Sequence, residues 1–210
     1  MDQLQELNYF TSTVYAVKKP EFLDSVRKVS DNYLSQSKER KKKEKHIVLM
    51  SGNYAHEPEI AEFTQYVSQT AWNILSAQGY DMEHLVTFFT EMWTQEHNSL
   101  SSMDSHVHGR GSQISAFYFL DAPEHGCQLM IHDPRPAKVI INLPEADQKQ
   151  ITPASQHVLF KVEPGMLLLC GAWLPHSFTK NFSKDPVRFV HMNLSVAANP
   201  VPRVSEPEVV

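Results

Sequence analysis

Only two cysteines, Cys127 and Cys170, occur in 210 residues. One disulfide is feasible, but the count excludes a disulfide-stapled scaffold. No apolar stretch approaches the ~20 residues of a membrane span, so a transmembrane helix is not expected. Basic charge is not in excess. With 19 Lys and Arg against 24 Asp and Glu, the net charge is -5, which argues against a general nucleic-acid binder. The start, MDQLQELNYF, has no basic segment followed by an apolar run. No signal peptide is expected, and the reading is a soluble cytoplasmic protein. No internal repeat is visible. What remains is a globular composition, 41% hydrophobic and 20% charged, in a length that suits one domain.

The chain has two textures. Residues 8–17, NYFTSTVYAV, are rich in β-branched and aromatic residues and read as a strand. Pro20 opens a helical segment with Phe22, Val26, Val29 and Leu34 near helical spacing. Its tail, Lys38 to Lys45, is a short mixed charge run that reads as a solvated helix end. A second helix fits residues 58–78. Pro58 suits its first turn, Gly79 its C-terminal cap, and Ile60, Phe63, Val67, Ala71, Ile74 and Leu75 form one apolar stripe. From residue 85 onward, eight short apolar runs alternate with turn residues: LVTFFTEMW, QISAFYFL, CQLMIHD, AKVIINL, HVLFKV, GMLLLCGAW, HSFTKN and VRFVHMNLSV. That spacing predicts a sandwich or barrel with the helices packed on one face. Residues 200–210 read as a loose Pro-rich tail.

The stretch SHVHGRGSQISAFYFL places His106 and His108 at i and i+2 of an extended segment, so both imidazoles point the same way. A third histidine, His176, stands in GAWLPHSFTKN after a strand entered by the turn EPG. Two histidines on one strand face with a third on a later strand is a metal-ligand pattern, and imidazole suits Fe, Zn, Cu and Ni. Arg188 opens a strand beyond His176, and a guanidinium there has the fork to hold a carboxylate bidentately.

These residues resemble the 2-oxoglutarate/Fe(II)-dependent oxygenases. Within them the chain is similar to the small phage and marine-bacterial group distantly related to prolyl hydroxylases. The likeness runs through FTSTVYAV, the segment from Trp93 past His106 and His108 to SAFYFL, then IHDPR, PGMLLLCGAWLPH and Arg188. It implies a mainly β, α+β fold: a double-stranded β-helix, or distorted jelly roll, with N-terminal helices on one face. The oxygenase domain then spans 1–199, with strand and helices in 8–80 and the jelly-roll core in 85–197. It implies Fe(II) held by His106, His108 and His176, with His108 where the superfamily has Asp or Glu. It implies 2-oxoglutarate as cosubstrate, its distal carboxylate held by Arg188. The chemistry implied is decarboxylation of 2-oxoglutarate to succinate coupled to hydroxylation by O2, on a protein or peptide residue such as proline.

Asp104 is a further ligand candidate. Ser115 and Phe119, with Phe117 between them on the same strand face, are candidates for contact with the cosubstrate. His132 and Asp133 are candidates for the mouth. Trp173 and Tyr118 read as packing. His191 and Asn193 fall on the strand face opposite Arg188 and receive no chemistry. Two other classes remain open at this stage. One is a three-histidine metalloenzyme of another type, either a cupin-like dioxygenase or a zinc hydrolase. The other is a non-catalytic jelly-roll binding module.

Overall fold

The computed structural model describes residues 4–40, 47–109 and 111–199. Lys41 to Lys45 of the charge run and the tail 200–210 lie outside the described residues. Two helices precede most of the strands: α1 (Leu23–Arg40) and α2 (Ala61–Ala77). Each is led in by a short 3-10 turn opening on proline, Pro20–Phe22 and Pro58–Ile60. The proline ring fixes φ where the missing N–H costs no helical bond. Gly79 closes α2 at φ 94°, with Tyr80 N–H on the Leu75 carbonyl at 3.2 Å. Among the described residues, no helix is long and apolar enough to cross a membrane.

The strands are β1 (Val14–Lys18), β2 (Val48–Met50), β3 (Leu85–His97), β4 (Met103–His106), β5 (Ile114–Asp121), β6 (Leu129–His132), β7 (His157–Phe160), β8 (Met166–Gly171), β9 (His176–Phe178) and β10 (Val187–Ala198). They form a six-stranded sheet, β1-β8-β5-β10-β3-β2, and a four-stranded sheet, β4-β9-β6-β7. Every pairing is antiparallel. The molecule is therefore mainly β with two helices.

Period-2 alternation gives the large sheet two buried faces. Ala116, Tyr118, Leu120, Leu167, Leu169, Val190, Met192 and Leu194 pack against Val26, Val29 and the α2 stripe of Phe63, Val67, Ala71, Ile74 and Leu75. Phe117, Phe119, Leu168, Cys170, Val187 and Phe189 face the small sheet and meet Leu129, Ile131 and Phe178. Each such side chain contributes about 1.5–3 kcal/mol by leaving water. The inner face of this second core carries the site.

The EPG turn ahead of β8 needs its glycine. Gly165 sits at φ 82°, and a Cβ there would lie 3.0 Å from Pro20 Cα. Its N–H donates to the Phe119 carbonyl at 2.8 Å and its own carbonyl accepts Lys19 N–H at 2.7 Å. Several sequence expectations are corrected. The opening strand covers 14–18 rather than 8–17. The first helix runs as far as Arg40, and the rest of its predicted tail lies outside the described residues. AKVIINL is not a strand: Pro136–Ile140 is a 3-10 turn, closed by Lys138 N–H on Arg135 O and Ile141 N–H on Lys138 O. Proline lacks the donor a ladder needs and pre-sets a turn instead. β4, absent from the eight runs, is a polar strand, MDSH, which apolar patterning cannot reveal.

Candidate metal centre

His106 ends β4 and His176 opens β9, and the two are direct register partners. Cross-strand partners in an antiparallel pair share a face, and the two ring centroids lie 4.5 Å apart. His108 lies two residues past the end of β4, held extended by its N–H on the Ala172 carbonyl at 3.0 Å. The i, i+2 rule thus operates just beyond the strand end. One nitrogen from each of His106, His108 and His176 lies within 4.8 Å of the other two. Nitrogens bound at about 2.1 Å to one ion sit roughly 3 Å apart in a facial set, so small ring rotations close the cluster. His108 Nε2 and His176 Nε2 are already 3.3 Å apart.

The backbone orients two of the rings. His106 Nδ1 meets the Asp104 carbonyl at 2.8 Å and His176 Nδ1 meets the Leu174 carbonyl at 3.0 Å. A carbonyl only accepts, so each Nδ1 carries hydrogen and each Nε2 lone pair is free for a metal. Burial lowers the pKa of His108 to about 4 and of His176 to about 4, with neighbouring imidazoles adding to the effect. Both are neutral at neutral pH, the form that coordinates. Asp104 enters through its backbone carbonyl, and its exposed carboxylate is not part of the cluster.

The inner face of β10 and β3 completes the surroundings. The His191 ring packs at a tilt against His108 at 4.4 Å and against Trp93 at 4.5 Å. Asn193 Nδ2 lies 3.2 Å from His108 Nδ1. Ser115 is buried and donates to Asn193 Oδ1 at 2.9 Å. Phe117 meets His176 edge-on at 5.1 Å, while Phe119 lies deeper, against Phe189 at 5.5 Å. A cavity of about 480 Å³ opens beside His108, lined among others by Thr90, Glu91, Val107, Ser112 and Asn193. Trp93 Nε1 and both ring nitrogens of His191 are buried with no hydrogen-bond partner among the described residues.

The expectation for Arg188 is corrected. Val187, Phe189, His191 and Asn193 lie on the strand face turned to the small sheet, where the cluster stands, and Arg188, with Val190, Met192 and Leu194, lies on the face turned to the helices. Its Nε donates to Asp121 Oδ2 at 2.5 Å and its Nη1 to Asp31 of α1. Both carboxylates already occupy the guanidinium fork. Arg188→Met should cost about 1–2 kcal/mol of stability, discounted for partial exposure, and leave metal affinity intact. Chemical denaturation beside a metal titration checks this. Conversely, His191 and Asn193, which sequence reasoning left without chemistry, sit against the cluster. Their facing follows from the register pairing them with Phe117 and Ser115, which the folded sheet sets and the sequence does not signal.

The remaining candidates lie elsewhere. His132 bonds Ser177 Oγ at 2.8 Å and lines a separate groove with His157. Asp133 is held by Arg135 at 2.7 Å and Lys138 at 2.9 Å. Trp173 is 55% exposed and lies over Gly171, where a Cβ would come within 2.4 Å of its Nε1. Tyr118 faces the helices and donates to the Lys19 carbonyl at 2.7 Å.

A model of a 2OG-Fe(II) oxygenase family matches residues 91–191, from the inner-face strand β3 through both histidine segments to His191. AviO1 from Streptomyces viridochromogenes Tue57 is similar with a TM-score of 0.59 at 13% identity, covering 91% of this chain and 93% of that one. A Pseudomonas putida prolyl-4-hydroxylase gives 0.57 at 12%, covering 88% and 93%. The viral collagen prolyl hydroxylase vCPH from Paramecium Bursaria Chlorella virus-1 gives 0.55 at 7%, covering 86% and 94%. At these identities the likeness is one of fold. A search of curated protein sequences finds no match.

Proposed function

We propose that this chain, a 2OG-Fe(II) oxygenase by its family match, holds Fe(II) through His106, His108 and His176 and hydroxylates a protein side chain, with proline as the leading substrate. The observation that carries the proposal is the convergence of three imidazoles, two of them with Nδ1 pinned to backbone carbonyls. The strand order supports a double-stranded β-helix: β3-β10-β5-β8 forms one wall and β4-β9-β6-β7 the other. Such a fold brings the ends of β4 and β9 to one rim, where the histidines stand.

When bound, the iron and 2-oxoglutarate supply oxidative decarboxylation to succinate and CO2 coupled to C–H hydroxylation by O2. The chain's part is orientation. His106 and His176 present preset lone pairs. Three neutral imidazoles leave the ion its full double charge, which favours the dianionic cosubstrate. Among the described residues no lysine or arginine is buried, so the inner-face groups that fit the cosubstrate are neutral. The unpartnered Trp93 Nε1 and His191 nitrogens are such groups, since buried polar atoms call for a partner. The cavity beside His108, at about 480 Å³, has the volume for a side chain the size of proline. The prolyl hydroxylases among the structural neighbours lend that substrate class its support.

The test is anaerobic Fe(II) and 2-oxoglutarate titration followed by succinate release on admitting O2, with proline-containing peptides and with matched peptides lacking proline. Peptide-stimulated succinate that requires proline supports the full reading. Stimulation by the proline-free set alone removes proline and keeps the oxygenase.

A further inference from the structure

The Asn193 amide sits buried among three side chains. Ser115 Oγ donates to its Oδ1 at 2.9 Å. Its Nδ2 lies 3.2 Å from His108 Nδ1 and 3.3 Å from Glu91 Oε2. An amide NH2 only donates, so His108 Nδ1 accepts, and the ring hydrogen of neutral His108 is on Nε2. That hydrogen points at His176 Nε2, 3.3 Å away. His176 accepts there because its own Nδ1–H is committed to Leu174 O. The run of bonds from amide to His108 to His176 to carbonyl is complete, with each donor meeting an acceptor. It also selects the His108 tautomer whose Nε2 has no free lone pair for a metal.

We infer that Asn193 is a positioning residue that sets the tautomer of His108, and that rotating its amide by half a turn switches that ring to the metal-binding form. The rotation brings Oδ1 opposite His108 Nδ1 and Nδ2 opposite Ser115 Oγ, which accepts through a lone pair. The proton count is unchanged: His108 gives the Nε2 hydrogen to water and takes one from water at Nδ1. Glu91, exposed to solvent, exchanges its amide donor for water. His106 and His176 need no such device, because backbone carbonyls fix their tautomers. At Nδ1, His108 faces a side-chain amide able to donate or accept, where His106 and His176 face carbonyls. This inference rests on the three-histidine reading above.

The test is Co(II) titration of the full chain, read by affinity and by the visible ligand-field spectrum, with thermal melting as a folding control. N193L offers His108 no acceptor. Its Co(II) affinity should fall about 10–100-fold, the usual loss when a ligand's outer partner is removed, and its spectrum should move to that of H108A. N193D offers only acceptor oxygens and should keep at least native affinity and the native spectrum. In an H108D background, where position 108 has no tautomer to set, N193L should cost nothing. A structural Asn193 would make both single variants lose affinity alike and would keep its cost in H108D. Native affinity and spectrum in N193L overturn the inference, as does N193D weaker than wild type. If N193L fails to fold, N193D and the N193D/H108D pair decide by the same criteria. Wild-type protein that binds no Co(II) sinks the three-histidine reading and this inference with it.

Discussion

His176→Ala should weaken Fe(II) binding by about two orders of magnitude and leave the fold in place. His176 is fully buried and its Nδ1–H is fixed on Leu174 O, so its lone pair is the most rigidly aimed of the three. A structural site of four protein ligands is worth about 10–16 kcal/mol, or roughly 3 kcal/mol per ligand. Losing one of three therefore weakens binding by about two orders of magnitude. His106→Ala should do the same. The truncation at 176 leaves a small void beside Phe117, a cost the two buried cores absorb, and circular dichroism should show native strand content. His108→Asp should retain iron, because a carboxylate at that position is a competent ligand with no tautomer requirement. Anaerobic Fe(II) titration checks all three. Native affinity in both His106→Ala and His176→Ala would refute the assignment.

The convergence of the two histidine segments was legible in the sequence because it has a local signature: an i, i+2 pair and a distant histidine at a strand mouth. The facing of β10 was not. Val187, Phe189, His191 and Asn193 alternate with Arg188, Val190, Met192 and Leu194, and both faces of this strand are buried. Where helices cover one face and a second sheet the other, hydropathy carries no parity signal. The side on which Arg188 falls is then decided by register with β3 and β5, which only the folded sheet shows. The AKVIINL segment failed for the opposite reason. Ile140 and Ile141 are 82% and 53% exposed, so apolar composition there reflects no buried face, and Pro136 decided the local conformation. The small sheet's β4 was missed because its residues are polar, although it delivers His106.

Acid should unfold this protein well above the range where carboxylates titrate, and His97 should be measurably responsible. His97 is fully buried between Phe178 and Phe189, with centroids at 5.3 and 5.4 Å, and burial lowers its pKa to about 4. His176 is lowered to about 4 and His191 well below its ordinary value by the same cause. A depressed imidazole stays neutral in the fold but binds a proton once unfolded, where its pKa is about 6.5. Its contribution is fully present above that value and is lost as pH falls towards 4. Each such group adds about 1.4 kcal/mol per pH unit to the slope. Three together would remove several kcal/mol between pH 6 and 5, a large part of the ~5–15 kcal/mol of a typical domain. His97 is the clean probe because it touches none of the cluster histidines. His97→Phe keeps an aromatic between the two phenylalanines and deletes one titrating group. Denaturant unfolding from pH 7.5 to 4.5, with chelator present, should show the pH slope of stability falling by about one proton. The absolute stability at pH 7.5 is not the readout, since Gln95 Oε1 loses its 3.1 Å partner. An unchanged slope in His97→Phe would show that His97 is protonated within the fold and that burial does not hold it neutral.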